Sequence, residues 1–111
     1  MIILPWPDKA LNPNSRTHWA VKAKATKAYR QAAGWAARAS KHKCDIGGII
    51  NLHITFMPPD KRRRDMDNMI ASCKGLLDGI ADGLGVNDSR FALHIGIGEV
   101  RKGGQVLVTW G

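Results

Sequence analysis

Hydrophobic and polar positions change period along this chain, and each change marks an element. Ile50, Leu52, Ile54 and Phe56 alternate with Asn51, His53 and Thr55. That two-residue repeat predicts a half-buried strand, ended by Pro58-Pro59. Upstream, from His18 to about Lys43, there is no proline and Gly34 is the only glycine. On a 3.6-residue period Val21, Ala25, Ala28, Tyr29, Ala32 and Ala36 fall on one face, with Lys24, Lys27, Arg30 and Arg38 spread over the other. This reads as an amphipathic helix with a basic outer side, with Ser15 or Thr17 as candidate caps. Before it lie a short strand, Met1 to Trp6, stopped by Pro5 and Pro7, and a turn-rich stretch from Pro7 to Thr17.

After the prolines a charged segment, Asp60 to Asp65, leads into a second predicted helix from about Asp67 to Asp82. Its apolar stripe is Ile70, Cys73, Leu77, Ile80 and Leu84, and Gly83 or Gly85 can end it. Two strands follow, Phe91 to Val100 and Gln105 to Trp110, joined by Arg101-Lys102-Gly103-Gly104 as a hairpin connection. The order β-α-β-α-β-β predicts an α+β fold with two helices packed on a mixed or mostly antiparallel sheet. At 111 residues, without linker or repeat, residues 1–111 are expected to form a single domain.

Charge narrows the partner. Seventeen Lys and Arg against nine acids give a net +8, an excess that suits a polyanion, since each neutralised phosphate releases counterions. A membrane surface is the competing polyanion. No apolar run approaches the roughly 20 residues that span a bilayer, and the first residues lack the pattern of a signal peptide. Cys44 and Cys73 are too few for a disulfide framework and match no zinc spacing. A cytoplasmic protein with reduced thiols, bound to no membrane and no small-molecule cofactor, is expected.

The acids are unevenly placed. Eight of the nine are Asp, and six of those lie between positions 60 and 88. Asp67, Lys74 and Asp78 are seven and four residues apart, which on one continuous helix puts them within about 40° of a common face. Asp65 stands just before that helix, and Asp88 follows it in a glycine-rich turn. Phosphodiester hydrolysis needs such groups. Mg²⁺ takes a few hard carboxylates, retains waters and lowers their pKa, a lysine can offset developing charge, and Lys61, Arg62, Arg63 and Arg64 would hold the backbone that bare carboxylates repel. The plainer reading is structural. Asp65 or Asp67 caps a helix, and Lys74 with Asp78 forms a surface pair.

The run Arg63-Arg64-Asp65-Met66-Asp67-Asn68, then Lys74, Leu77-Asp78-Gly79 and Asn87-Asp88, resembles the core of RusA-type Holliday junction resolvases, small enzymes often carried by phages and prophages. Leu4-Pro5-Trp6-Pro7, Asn14 with Arg16-Thr17-His18, Tyr29-Arg30 and Lys102-Gly103-Gly104 extend the similarity over nearly the whole chain. The resemblance implies that Asp65, Asp67 and Asp88 hold the metal and are catalytic, with Lys74 as catalytic lysine. Asn68, Asp78 and Asn87 would stand just outside that ligand set. It further implies Mg²⁺, with Mn²⁺ able to substitute, a homodimer, and paired nicks across a four-way DNA junction in a bacterial or phage-infected cell. Two departures stand out. The interval before Lys74 is about three residues longer than the family pattern, nearly one helical turn, and Asn87 replaces the first of two aspartates.

Outside this constellation, Arg16 and His18 could meet a phosphate at the first helix's start, and Lys24, Lys27 and Arg30 are further candidate DNA contacts. Trp19, Trp35 and Trp110 are expected in the core or a dimer contact rather than as base-stacking platforms, with Trp6 open to either role. His42, His53 and His94 read as structural. Two rival functions remain: a non-catalytic basic module for structured DNA or RNA, and a phosphatase for small esters, which the basic excess disfavours.

Overall fold

Four strands and three helices build the molecule in a computed structural model that describes residues 1–40 and 48–110. The strands β1 (Ile2–Pro5), β2 (Ile50–Met57), β3 (Phe91–Ile97) and β4 (Gln105–Trp110) form one sheet in the order β1-β4-β2-β3. β4 runs antiparallel to both β1 and β2, whereas β2 and β3 are parallel. The sheet is therefore mixed, within the expected α+β class. The two-residue period of β2 is realised directly, because Leu52, Ile54 and Phe56 are essentially sealed from solvent. Each such side chain contributes about 1.5–3 kcal/mol by leaving water. Val106 and Val108 of β4, and Ile2 and Leu4 of β1, continue the same buried layer.

A parallel pair needs a crossover, and here α2 (Met66–Ser72) and α3 (Lys74–Leu84) supply it between β2 and β3. The expected hairpin between the last two strands does not form, since β2 lies between them. The Arg101–Gly104 turn is real, closed by the Gly104 N–H donating to the Arg101 carbonyl at 2.8 Å. Instead of joining neighbours it carries the chain past the end of β2, where the Arg101 N–H donates to the Pro58 carbonyl. In the slot it reaches, β4 gains a partner strand on each edge, and buried Val106, Val108 and Trp110 fill the core. β3 also stops at Ile97, short of the expected Val100, with the Gly98 N–H donating the last rung to the Phe56 carbonyl.

The second predicted helix is two helices. Cys73, at φ −99° and ψ 8°, separates them, and its N–H reaches back only three residues to the Ile70 carbonyl. Ser72 contributes by donating its hydroxyl to the Asn68 carbonyl at 2.8 Å, a bond that competes with regular helix geometry. The buried set changes accordingly, to Met69, Cys73, Leu76 and Ile80, while Leu77 is only half-buried. Cys73 is a free thiol, and its burial pushes the pKa up to about 12. Cys44 lies outside the described residues.

What directs α3 is its docking on α1 (Trp19–Ala39) through glycine. Gly75, Gly79 and Gly83 recur every fourth residue and so share one face. A Cβ on Gly75 would stand 2.9 Å from the Thr26 carbonyl oxygen, and one on Gly83 2.5 Å from that of Gly34. At Gly79 the same atom would strike the Arg30 carbonyl and lie 2.8 Å from the Ala33 Cβ. The buried residues of α1 are Tyr29, Ala33, Gly34 and Ala37, rotated from the expected stripe, with Val21 exposed. Alanine recurs so often along α1 that its faces differ little in hydrophobicity. His18, rather than Ser15 or Thr17, caps the helix, its Nδ1 accepting from the Ala20 N–H at 3.2 Å. The expected continuation to about Lys43, and His42 with it, lies outside the described residues.

Tyr29 ties α1 to β1, its hydroxyl donating to the Pro5 carbonyl at 2.9 Å. Burial raises its phenol above the ordinary range. Trp110 is buried as expected, but Trp19 and Trp35 are 75% and 69% exposed, so neither is in the core. His53 and His94 stack across β2 and β3 with centroids 4.6 Å apart, and His94 pairs with the Asn51 side chain. Among the described residues no helix is long and apolar enough to cross a membrane.

Candidate nuclease site

The loop from Asp60 to Arg64 is shaped by its own charges. One oxygen of Asp60 accepts from the Arg62 N–H at 2.8 Å, and Arg64 pairs with the same carboxylate at 3.0 Å. The backbone bond from Arg62, then the two arginine side chains, hold the Asp60 carboxyl below the usual range. Arg64 also donates to the Arg62 carbonyl at 2.9 Å, and its guanidinium sits 5.3 Å from the centre of the Trp6 ring. With its side chain only 19% exposed, Arg64 braces the loop while also lining the cleft that Asp65 borders. Trp6 is held as well, edge-on to Phe56 at 6.0 Å and against Gly104. Gly104 has φ +72°, and a Cβ there would lie 2.8 Å from Trp6, so glycine is required on both counts. Lys61, Arg62 and Arg63 remain exposed.

The brace delivers Asp65 to the start of α2. Asp65 is its cap, with Oδ1 accepting from the Asp67 N–H at 2.9 Å, as the structural reading foresaw. Capping uses one carboxylate oxygen, and Asp65 and Asp67 both stay exposed. Asp65 and Asn68 line a cleft of about 1080 Å³ whose rim includes Arg62 and Arg63. The opposite wall is the segment from Trp6 to Thr17, chiefly Lys9, Asn12, Asn14 and Thr17. The expected turn at Asn12 to Ser15 is present, but apart from Asn14 and Thr17, which belong to the family resemblance, nothing local marks this segment as a wall of the cleft. Arg16 and His18 are exposed just beyond it.

The other candidates are more scattered. Lys74 is the exposed first residue of α3. Because the helix breaks at Cys73, Asp67 and Lys74 do not share one helical face. Asp78 is half-buried and acts electrostatically on Arg30 of α1. Asn87 accepts from the Ser89 N–H at 2.9 Å and caps a 3-10 turn, Asp88 to Arg90, in which Asp88 is exposed. This turn packs near α3. Among the described residues no three His, Cys, Asp or Glu side chains are gathered closely enough to cage a metal, so Asp88 is not drawn onto Asp65 and Asp67 within one chain. Lys24 and Lys27 are exposed on α1. Arg30 is engaged in a two-point pair with Asp82 at 2.6 and 3.0 Å.

Fold and cleft together describe a small α+β domain with hard carboxylates beside a cationic loop. The family model of endodeoxyribonuclease RusA matches residues 7–107. The chain therefore belongs to the RusA family of Holliday junction resolvase nucleases. It is also 42% identical over 116 residues to an uncharacterized protein of Xylella fastidiosa (strain Temecula1 / ATCC 700964), covering 97% of this chain and 73% of that one.

Proposed function

We propose that the chain is a metal-dependent endonuclease which, as a homodimer in the cytoplasm of a bacterial or phage-infected cell, resolves four-way and other branched DNA by paired nicks. The observation that carries this reading is the exposed Asp65-Asp67 pair at the head of α2, next to the Arg62-Arg63 rim of the cleft. Its donors suit magnesium, a hard cation commonly bound by one or two carboxylates, waters and a substrate phosphate. Asp65 and Asp67 would hold the ion; Asp88, which is not drawn onto them within one chain, would complete the set only by moving toward them on binding. When bound it supplies an acidified water and polarises the phosphoryl oxygen.

Everything else falls to the chain's own side chains. Lys61, Arg62 and Arg63 position the DNA backbone without reading its sequence. The Arg64–Asp60–Trp6 brace keeps that loop in place, so the phosphate meets cations already oriented. Lys74 offers an ammonium to charge developing on the departing oxygen. Two matched nicks need two matched sites, which a two-fold dimer provides. None of the four strands has a charged residue, so two copies of net +8 can meet there without bringing cations together.

Cleavage of a labelled four-way junction, with Mg²⁺, with Mn²⁺ and in EDTA, tests the proposal. Symmetric paired nicks with either ion and none in EDTA are expected. The scattered carboxylates favour one other reading, a non-catalytic binder of structured nucleic acid. Junction binding in EDTA without cutting on either ion would establish that reading instead.

A further inference from the structure

The outward face of α1 has a feature the cleft does not use. Trp35 is 69% exposed, a costly position for the largest side chain, and it edges a shallow hollow with Lys27, Gln31, Arg38 and the Arg30–Asp82 pair. Among the described residues Asp82 is the only acid lining the hollow, and its bidentate pairing with Arg30 cancels its charge. The Arg30 bonds hold its carboxyl below the usual range, with Arg38 adding to the effect. The hollow therefore presents the uncancelled charge of Lys27 and Arg38 around an accessible indole. Lys24 and Gln31 fall within about 40° of Trp35 on the 3.6-residue period, which extends the cationic track along the helix.

We propose that this hollow is a second nucleic-acid contact, in which an unpaired base stacks on Trp35 while Lys27 and Arg38 hold the flanking phosphates. Aromatic platforms set in a positive groove are how sequence-tolerant single-strand binding is built. Charge selects this occupant over a second copy of the chain, whose own Lys27 and Arg38 would be repelled. The inference rests on the branched-DNA reading above. It adds that the protein grips unpaired nucleotides, such as those exposed where strands exchange, by a surface separate from the carboxylates.

The test is fluorescence anisotropy in EDTA with an oligothymidylate, a paired duplex and a four-way junction. Trp35→Ala is expected to weaken oligothymidylate binding about tenfold, within the range for loss of one stacked base. Duplex binding should change less than about twofold, and Trp35→Phe should restore most of the loss. Lys27→Gln with Arg38→Gln should lower the salt slope by about two. Unchanged oligothymidylate binding by Trp35→Ala overturns the inference, as does an equal loss on duplex. A changed association state of Trp35→Ala in sedimentation would overturn it too, assigning the face to a protein contact. Wild-type junction cutting with Trp35→Ala silent would sink this inference alone, whereas wild-type protein that binds no DNA would sink the branched-DNA reading with it.

Discussion

Asp67→Asn is expected to abolish junction cutting while leaving junction binding intact or tighter. The substitution is nearly isosteric, and the Asp67 N–H that bonds the Asp65 carboxylate is a backbone group, so the head of α2 is preserved. What disappears is one anionic oxygen donor. Losing several kcal/mol of metal-assisted stabilisation of the transition state, about 4, corresponds to roughly a thousandfold in rate. Binding should move the other way. Removing one like charge beside a phosphate relieves about 1 kcal/mol in a water-like dielectric, which is up to about fivefold in affinity. Single-turnover cutting and EDTA binding on the same junction separate the two effects. Full cutting by Asp67→Asn would reject the assignment of Asp67.

The second large effect concerns the fold. Gly79→Ala would be expected to stabilise an isolated helix by about 1 kcal/mol, because alanine is the better helix former. Here the opposite is expected. The added methyl would collide with the Arg30 carbonyl and the Ala33 Cβ, both held by the backbone of α1, so α1 and α3 must separate. Overpacking of this kind costs about 1–3 kcal/mol and should outweigh the propensity gain. Gly79→Val, with a larger branched side chain, should lose more and lower the melting temperature by about 10 °C or more, at about 4 °C per kcal/mol for a chain of this size. Gly85→Ala is the informative control. Gly85 has φ +70° but open space around it, so it should cost only the strain of that conformation, about 1 kcal/mol. Thermal unfolding followed by circular dichroism checks both. A Gly79→Ala protein as stable as the parent would mean that the glycine contact does not set the helix packing.

Local signals in the sequence were read well. The period of β2, the strand Gln105 to Trp110, the long basic helix and the cationic loop before Asp65 follow from neighbours a few residues apart. Sheet order was not legible, because nothing local tells β4 to insert between β1 and β2 rather than fold back on β3. The Cys73 break was hidden for a related reason. Ile70, Cys73 and Leu77 keep helical spacing across it, while the demand for a new axis comes from α1, far away in sequence. Its signal was present in Gly75, Gly79 and Gly83, of which only Gly83 was given a local role, as a possible helix end, whereas all three act as a contact surface. Trp19 and Trp35 were expected in the core or a dimer contact, and the core is excluded because α1 meets α3 through alanines and glycines that leave no room for indoles. For the site, Asp65, Asn68 and the arginine rim were legible from one short stretch. The facing wall was not, since it requires the N-terminal segment to fold across Phe56.

Asp65 and Asp67 are expected to bind a divalent ion at the cationic cleft. Electron paramagnetic resonance of Mn²⁺ titrated into the complex with a cleavage-resistant junction tests this most directly, with the wild-type chain beside an Asp65→Asn, Asp67→Asn double variant. Bound Mn²⁺ in the wild type and its loss from the double variant, at equal junction occupancy, is the predicted result. Equal Mn²⁺ binding by the two proteins would contradict it.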